Sequence, residues 1–164
     1  MTGKAARSSL VITVHDISAP ALMADCMGVM NVAFDPLYGE AWTQEQTRSM
    51  LDLPGTYLVA GRVGDEMVGF GLIRSIAGEA ELLLLGVSPA VRRKGYGRLI
   101  LQRCIEVAAR SGADTMFLEV REGNEAVALY TGAYFEQYNC RRDYYIGRDG
   151  QRRSALSFKR TIRI

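Results

Sequence analysis

The fold of this chain is decided by residues 79–98, which read EAELLLLGVSPAVRRKGYGR. The first nine residues form an apolar run of the length of a β-strand, and a short turn around Pro89 ends it. Gly95 and Gly97 follow, and an amphipathic helix begins at this pair. The apolar stripe of that helix is formed by Leu101, Cys104, Ile105 and Ala108. We therefore predict a strand, a glycine loop and a helix in direct succession.

This order of elements is suited to binding an anion. Glycines allow the backbone to approach a ligand closely, and the first N–H groups of a helix have no partner within it. Those N–H groups point at the ligand, and the helix dipole favours its negative charge. The spacing Arg-x-x-Gly-x-Gly matches neither the dinucleotide fingerprint nor the P-loop. The alternative is an ordinary helix start with solvated arginines.

Length and composition indicate one globular domain over residues 1–164, with residues 1–9 as a flexible arm. A chain of 164 residues buries roughly 70% of its unfolded surface. Hydrophobic residues make up 48% of the chain, and no apolar run approaches the ~18 residues of a membrane span. The N-terminus lacks the apolar region of a signal peptide, so we expect a cytoplasmic protein.

Cysteine and charge content argue against several classes of protein. The cysteines Cys26, Cys104 and Cys140 are too few and too scattered for a disulfide framework or a zinc site, so no metal is expected. A net charge of +2 argues against a dedicated nucleic-acid binder. Residues 136–164 nevertheless carry 8 basic and 3 acidic side chains. This basic segment is either a solvated strand face or a contact for RNA or the ribosome.

The remaining sequence predicts an α+β fold with a mostly antiparallel sheet. Ser18 and Pro20 open a first helix, and the capping box Thr43-x-x-Gln46 opens a second. Further helices are predicted over residues 97–110 and 124–130, and strands over residues 10–14, 57–63, 67–74, 80–87, 115–121, 134–145 and 155–160. The long helix crosses between residues 87 and 115, so the strands that it joins are parallel neighbours. A ligand is expected at their carboxyl ends.

Several motifs resemble those of one enzyme family. Leu118-Glu119-Val120-Arg121, with a later Arg141-Arg142-x-Tyr144-Tyr145, is more specific than the glycine loop. Further matching segments are residues 68–70, 79–83, 86–89, 128–130 and 149–150, and Trp42 with the capping box after it. Together they resemble the GNAT acyl-CoA N-acyltransferases and, within them, the bacterial ribosomal-protein-alanine N-acetyltransferases. The resemblance covers most of the chain.

The resemblance implies a GNAT fold with one splayed parallel strand pair, and acetyl-CoA as cosubstrate without a metal. The implied acceptor is the N-terminal alanine of a small-subunit ribosomal protein, with no need for nucleic acid or a membrane. The protein is expected to be a monomer or weak dimer. Glu119 is similar to the family's general base and Tyr130 to its general acid. The positions similar to the acyl-CoA-binding segments are Leu85, Gly86, Val87, Arg92, Arg93, Lys94, Gly95, Tyr96, Gly97, Arg98 and Asn124.

Acetyl transfer needs these residue types. An amine must lose a proton when it attacks a thioester, and burial can raise the pKa of a carboxylate toward that of a useful base. A tyrosine hydroxyl can give a proton to the departing thiolate. If the parallel strands splay, main-chain groups around Gly86 can pair with a pantetheine arm, and one N–H would reach the thioester carbonyl. An α-amine is about a tenth neutral at pH 7, against about four in ten thousand for lysine, which favours an α-amine acceptor.

The site assignments have alternatives. Glu119 could form an ion pair with Arg121 or Arg141 on the strand face, and Tyr130 could be a core aromatic. Glu81 faces the same region, as a second carboxylate or as a solvated strand residue. Either a lysine or small-amine acetyltransferase, or an acyl-CoA-binding module without turnover, would also fit the sequence.

The sequence departs from the family pattern at two positions. Asn124 and Tyr130 are six residues apart where the family has seven, and one deleted residue turns a helix by about 100°. An altered helix start would have to absorb this change. Tyr134 stands where the family has glycine, with Gly132 as a nearby replacement.

Tyr38 and Trp42 either pack a helix on the sheet or line a peptide groove.

Overall fold

The computed structural model describes residues 9–162 and shows one seven-stranded sheet with helices on both faces. The strands are β1 (Leu10–His15), β2 (Thr56–Val63), β3 (Glu66–Ile76), β4 (Glu79–Val87), β5 (Thr115–Arg121), β6 (Glu136–Ile146) and β7 (Arg152–Thr161). The helices are α1 (Pro20–Ala33), α2 (Gln44–Leu51), α3 (Tyr96–Arg110) and α4 (Ala126–Gly132). Two short 3₁₀ turns lie at Pro36–Tyr38 and Pro89–Val91. Of the expected flexible arm, residues 1–8 lie outside the described residues.

The predicted α+β architecture is confirmed. The strand order is β1-β2-β3-β4-β5-β7-β6, and every neighbouring pair is antiparallel except β4 with β5, which α3 joins by a crossover. The capping box is present: the Thr43 hydroxyl accepts from the Gln46 N–H, and the Gln46 side chain accepts from the Thr43 N–H. Ser18 does not cap α1; its hydroxyl donates to Asp52 and so ties the start of α1 to the end of α2. Within residues 9–162, no helix is long and apolar enough to cross a membrane.

The sheet separates two apolar clusters. One joins the sheet to α3 and α4, and the other joins its opposite face to α1 and α2. Two glycines of β3 allow α3 to approach the sheet closely: a Cβ at Gly69 would lie 2.7 Å from Ile100 Cδ1, and one at Gly71 would overlap Cys104 Sγ. Cys104 is fully buried there, as its place on the apolar stripe predicts.

Strands β4 and β5 separate halfway along their length. Their parallel pairing runs from Glu79 opposite Thr115 to Leu82 opposite Leu118 and stops. Beyond this point β4 stays paired only with β3, and β5 only with β7. The register of β4 on β3 shifts at Leu83, the one extra residue of a β-bulge. Because a bulge bends its strand, Leu83 turns β4 away from β5 where their pairing ends.

The bulge also changes which face each leucine covers. Leu82 packs in the cluster under α3, whereas Leu84, two residues later, packs in the cluster under α1. In a regular strand residues two apart share one face. The shift therefore supplies apolar side chains to both cores while it opens the gap between the two strands.

Helix α4 and its C-terminus differ from the sequence prediction. The helix covers Ala126–Gly132 instead of residues 124–130. Gly132 does not take over the turn that follows; Tyr134 itself adopts the left-handed conformation, with φ of 65°. The N–H of Phe135 donates to the Tyr130 carbonyl, and the N–H of Tyr134 donates to the Thr131 carbonyl. These two bonds form a Schellman motif, which normally has glycine at the left-handed position.

We predict that Tyr134→Gly stabilises the protein. Glycine adopts a left-handed conformation without the steric cost that a side chain brings, so we expect a gain of about 1 kcal/mol in the free energy of unfolding. The matched variant Tyr134→Ala removes the same ring but keeps a Cβ, and should show no gain. Urea unfolding of both variants measures the difference. A glycine variant that is no more stable than the alanine variant would contradict this account.

Candidate active site

The loop between β4 and α3 presents a row of unused backbone donors. The N–H groups of residues 93–98 make no hydrogen bond within the described residues. Arg93 and Gly95 have φ of 65° and 79°, and Gly95 is the N-cap of α3 without a side chain to occupy its first turn. Arg93, Lys94 and Arg98 are exposed beside these N–H groups. Six free donors, three cations and a helix N-terminus fit a diphosphate in chemistry and charge.

Arg92 connects two elements next to this loop. Its guanidinium donates to the Ala33 carbonyl at 2.7 Å and to the Val87 carbonyl at 3.3 Å. These bonds link the end of α1 to the end of β4. Arg92 is predicted as a cofactor ligand, but two of its guanidinium nitrogens already donate to main-chain carbonyls and so position the loop.

Leu85, Gly86 and Val87 lie along the edge of β4 that faces the gap. Past Leu82 this edge has no partner strand among the described residues, so its backbone groups are free to pair with an extended ligand. A Cβ at Gly86 would lie 3.3 Å from Ala33 Cβ and from Phe34 Cε2, so glycine here allows the end of α1 to pack on β4. The sequence prediction that β4 and β5 splay is confirmed.

Glu119 lies on β5 one residue past the last parallel pair, on the face opposite α3. Arg141 Nη2 lies 3.1 Å from Glu119 Oε2, and the Tyr145 hydroxyl donates to Oε1 at 3.3 Å. The side chain keeps 26% of its surface exposed, so solvent and substrate can reach it. Of the two ion-pair partners considered from sequence, Arg141 is the one observed. Arg121 pairs with Glu40 instead.

An irregularity in β6 brings both partners of Glu119 together. Arg141 lies opposite Ala155, and Tyr145 lies opposite Arg153. Three residues of β6 (142–144) therefore face a single residue of β7 (154). The looped-out residues include Asp143, with φ of 52°. The side chains must also cross β7 to reach β5, and the residue of β7 opposite Glu119 is the small Ser157. The bulge and this small residue let Arg141 and Tyr145 hold one carboxylate.

Tyr130 lies in the cluster between α3 and the sheet. It is 6% exposed and packs edge-on against Phe135, with ring centroids 6.1 Å apart. Burial raises the pKa of the Tyr130 hydroxyl, and the nearby Cys104 and Glu40 raise it further. Tyr130 therefore packs in the core, and its hydroxyl stays protonated at neutral pH.

Asn124 shapes the start of α4. The Asn124 side-chain oxygen accepts from the Ala126 N–H at 2.9 Å, and the Asn124 carbonyl accepts from the Val127 N–H. Asn124 therefore caps α4 from outside the helix, two residues before its first turn. The predicted pantetheine contact of Asn124 falls to its amide NH₂, because its oxygen is engaged.

A network of charged and aromatic side chains attaches the α1–α2 connection to the sheet. Arg121, 9% exposed, donates to Glu40 at 2.7 Å, and its guanidinium carbon lies 3.5 Å from the centre of the Tyr38 ring. Arg153 approaches the same ring at 4.9 Å and pairs with Asp149 at 2.7 Å. These contacts wall the face of the sheet that carries Glu119. Tyr38 is therefore part of this wall, while Trp42 packs on the core under α1 and α2.

Sequence reasoning gave no role to several residues of this site. Tyr145 was part of a matching motif, and Glu40 lies between two helices without a recognisable pattern. Burial and the charge of Glu119 raise the pKa of Tyr145 to about 12, so Tyr145 remains a hydrogen-bond donor. The only sequence signal for it was its place in Arg-Arg-x-Tyr-Tyr.

Glu81 is a second carboxylate on the same face as Glu119. Its register partner on β5 is Phe117, two residues before Glu119. The side chain keeps contact with solvent, yet partial burial raises the pKa of its carboxyl group, and the negative charge of Glu119 raises it further. Arg74 acts in the opposite direction and is the weaker influence. Within the described residues no basic group forms an ion pair with Glu81.

The sequence and the fold match those of known proteins. The family model described as the acetyltransferase (GNAT) family matches residues 25–133. A [ribosomal protein bS18]-alanine N-acetyltransferase of Escherichia coli K12 is 36% identical over 87 residues, which are 52% of this chain and 59% of that protein. The N-alpha-acetyltransferase RimI of Mycobacterium tuberculosis is 33% identical over 111 residues, 65% of this chain and 68% of that protein.

Solved structures match nearly the whole chain. A crystal structure of the ribosomal-protein-S18-alanine N-acetyltransferase from Escherichia coli superposes with a TM-score of 0.81 at 24% identity, covering 94% of this chain and 96% of that one. Arabidopsis thaliana NAA60 in complex with a bisubstrate analogue gives a TM-score of 0.75 at 16% identity, with 92% and 98% covered. In sequence, the match to a [ribosomal protein bS18]-alanine N-acetyltransferase of Haemophilus influenzae is 32% identical, and the chain spans 63% of the length of that protein.

We predict that Glu81→Gln stabilises the protein at neutral pH. Because the pKa of Glu81 is raised in the folded state, ionising it costs folding free energy above its ordinary value of 4.5. Below that value both folded and unfolded states hold the proton, and the cost disappears. The variant should therefore unfold at a higher temperature than the parent at pH 7, and the difference should shrink as the pH falls through the folded-state pKa toward 4.

The control for this experiment is Glu66→Gln, the same change at an exposed residue at the start of β3. It should leave the unfolding temperature unchanged at both pH values. A Glu81→Gln protein that is less stable than the parent at pH 7 would show that ionised Glu81 supports the fold.

Proposed function

The chain belongs to the acetyltransferase (GNAT) family, and on that premise we propose that it transfers an acetyl group from acetyl-CoA to the N-terminal α-amine of a protein. The observation that carries the proposal is the gap between β4 and β5. On one side of this gap lies the row of free N–H groups, and on the other lies the carboxylate of Glu119. Two reactants could meet there from opposite faces of the sheet.

The residues of the β4–α3 loop would hold acetyl-CoA. The free N–H groups of residues 93–98 and the cations Arg93, Lys94 and Arg98 suit its diphosphate, and the free edge of β4 suits its extended amide arm. Acetyl-CoA supplies the acetyl group as a thioester: a C–N bond forms, the C–S bond breaks, nitrogen loses a proton and sulfur gains one.

Glu119 is proposed to take the proton from the amine. Its carboxylate is reachable from the acceptor face, and Tyr145 and Arg141 fix its orientation. A carboxylate placed in this way can bind the incoming amine and take up its proton. Since about a tenth of an α-amine is already neutral at pH 7, a modest base directed by two contacts meets the need.

Tyr130 is proposed to give the proton to the leaving sulfur. Its hydroxyl stays protonated because burial raises its pKa, and the Schellman motif after α4 and the Phe135 ring fix its position. This role requires that the start of α4 compensates for the shortened interval to Asn124, where the Asn124 side chain accepts from the Ala126 N–H. Acid and base would then lie on opposite sides of the reacting carbonyl.

The acceptor is proposed to be the N-terminal alanine of ribosomal protein S18 or a similar N-terminus in the cytoplasm. Two findings support this proposal: the relatives are named after ribosomal protein bS18 as their substrate, and this chain is 32–37% identical to these bacterial alanine acetyltransferases. The wall formed by Tyr38, Arg121 and Arg153 leaves an open approach to Glu119, as a polypeptide end requires. There are two competing hypotheses. The chain is an acetyltransferase for lysine or a small amine, or it is an acyl-CoA-binding module without turnover.

We predict that Gly95→Ala weakens coenzyme A binding. Gly95 and Gly112 flank the same helix α3, have φ of 79° and 88°, and a Cβ added at either would meet no atom within 4 Å. Alanine should therefore cost both sites the same backbone strain, about 1 kcal/mol of stability. Only Gly95 belongs to the row of free N–H groups. Coenzyme A should raise the unfolding temperature of Gly112→Ala as it does for the parent, and much less for Gly95→Ala. Equal ligand effects would remove the loop from cofactor binding.

We predict that thiol release distinguishes the acceptor classes. A peptide beginning with alanine should react far faster than its N-blocked, lysine-containing twin. Glu119→Gln should lower kcat/KM for that peptide about 100-fold and leave the KM for acetyl-CoA nearly unchanged, because the carboxylate acts on the amine. Tyr145→Phe, which keeps the carboxylate but loses its hydrogen bond, should have a smaller effect, and Glu66→Gln none. A preference for the blocked peptide would favour lysine acetylation, and cofactor binding without thiol release would favour the non-catalytic module.

A further inference from the structure

A cavity of about 420 Å³ lies beside the site, on the face of the sheet that carries Glu119. It is formed where β3, β4 and β5 are still paired, at the amino-terminal halves of the two parallel strands. Its lining residues are Arg74, Ile76, Glu79, Ala80, Glu81 and Phe117. The proposed acetyl-CoA loop follows the carboxyl end of β4, so the cavity extends away from the cofactor and belongs to the acceptor side.

The cavity carries unmatched polar groups of both kinds. Glu79 and Glu81 form no ion pair within the described residues, although Arg74 is the register partner of Glu81 on β3. Arg74 Nε is buried and lacks an acceptor there. A ligand that complements these groups carries a positive charge for the carboxylates and a carbonyl oxygen for the Arg74 guanidinium, which forms no ion pair among the described residues. An extended peptide with a basic side chain has both.

The distance to Glu119 identifies which part of a peptide would reach the cavity. Phe117 and Glu119 lie two residues apart on β5 and point to the same face, which separates them by about 7 Å. An extended chain rises about 3.3 Å per residue. If the α-amine lies at Glu119, the second and third residues of the acceptor lie over Glu81 and Phe117.

We infer that this cavity is a specificity subsite, which selects acceptor N-termini with an arginine or lysine at the second or third position. The inference rests on the proposed function and adds the class of sequence that follows the acetylated residue. Glu81 and Glu79 bind the cationic group, Phe117 covers the aliphatic part of its side chain, and the Arg74 guanidinium donates to a main-chain carbonyl of the peptide.

The test uses three alanine-initiated peptides of one composition, with a single arginine at position 2, 3 or 8 and no lysine. Arginine is chosen because it is not an acceptor for acetylation under these conditions. Thiol release gives kcat/KM for each peptide, and fluorescence anisotropy with coenzyme A present gives its Kd. We expect the arginine at position 2 or 3 to raise kcat/KM roughly tenfold over position 8, the size of one charge-assisted contact.

Variants locate the effect. Glu81→Gln should reduce the advantage of arginine at position 2 or 3 over position 8 to about twofold or less. Glu81→Arg should reverse the preference in favour of a peptide with glutamate at the same position. Glu66→Gln lies about 27 Å from Arg74 along β3 and should keep the full advantage.

The two levels of proposal fail in different ways. If all three peptides are acetylated with equal kcat/KM and bind equally, the subsite is wrong and the acetyltransferase function stands. If none is acetylated, the proposed function is wrong, and the Kd values then decide the subsite. If the advantage persists in Glu81→Gln, the charge is recognised elsewhere and the assignment to this cavity is overturned.

Discussion

The end of hydrogen bonding between β4 and β5 is the constraint on which the site depends. Two parallel strands would normally stay paired to their last residues, leaving no room between them. The extra residue Leu83 bends β4 while β3 and β7 still hold the outer edges of both strands. The gap is thus supported on both sides by continuous sheet, and the α3 crossover brings a helix N-terminus to its mouth. An opening supported in this way would hold the two proposed reactants between continuous parts of the sheet.

Charge is distributed unequally over the two sides of this opening. The loop before α3 presents free N–H groups and cations, which suits an anionic cofactor. The other side presents Glu119 and Glu81, whose mutual repulsion is relieved at Glu119 by Arg141 and Tyr145. The proposed cofactor and acceptor would therefore be separated by charge before any shape-specific contact forms. Arg92, which bonds to both α1 and β4, keeps the two sides in fixed relation.

Much of this arrangement follows from local sequence. Periodicity and turn residues predict every strand, and the glycine loop with Glu119 indicates where the candidate site is to be sought. The Leu83 bulge, the double bulge in β6 and the Glu40–Arg121 pair do not follow, because they depend on register between strands far apart in the chain. The Tyr134 prediction failed for a different reason: the hydrogen bonds of the Schellman motif form with a tyrosine at the left-handed position, which local preference assigns to glycine.

The double bulge in β6 has a consequence for how the protein behaves in concentrated solution. β6 is the outermost strand and is exposed along nearly its whole length, which makes it a template for edge-to-edge stacking of copies. The kink at residues 142–144 interrupts the ladder that an incoming strand would need, and the arginines beside it repel an identical neighbour. The distortion that aims two side chains at Glu119 therefore also protects the molecule from fibrous self-association.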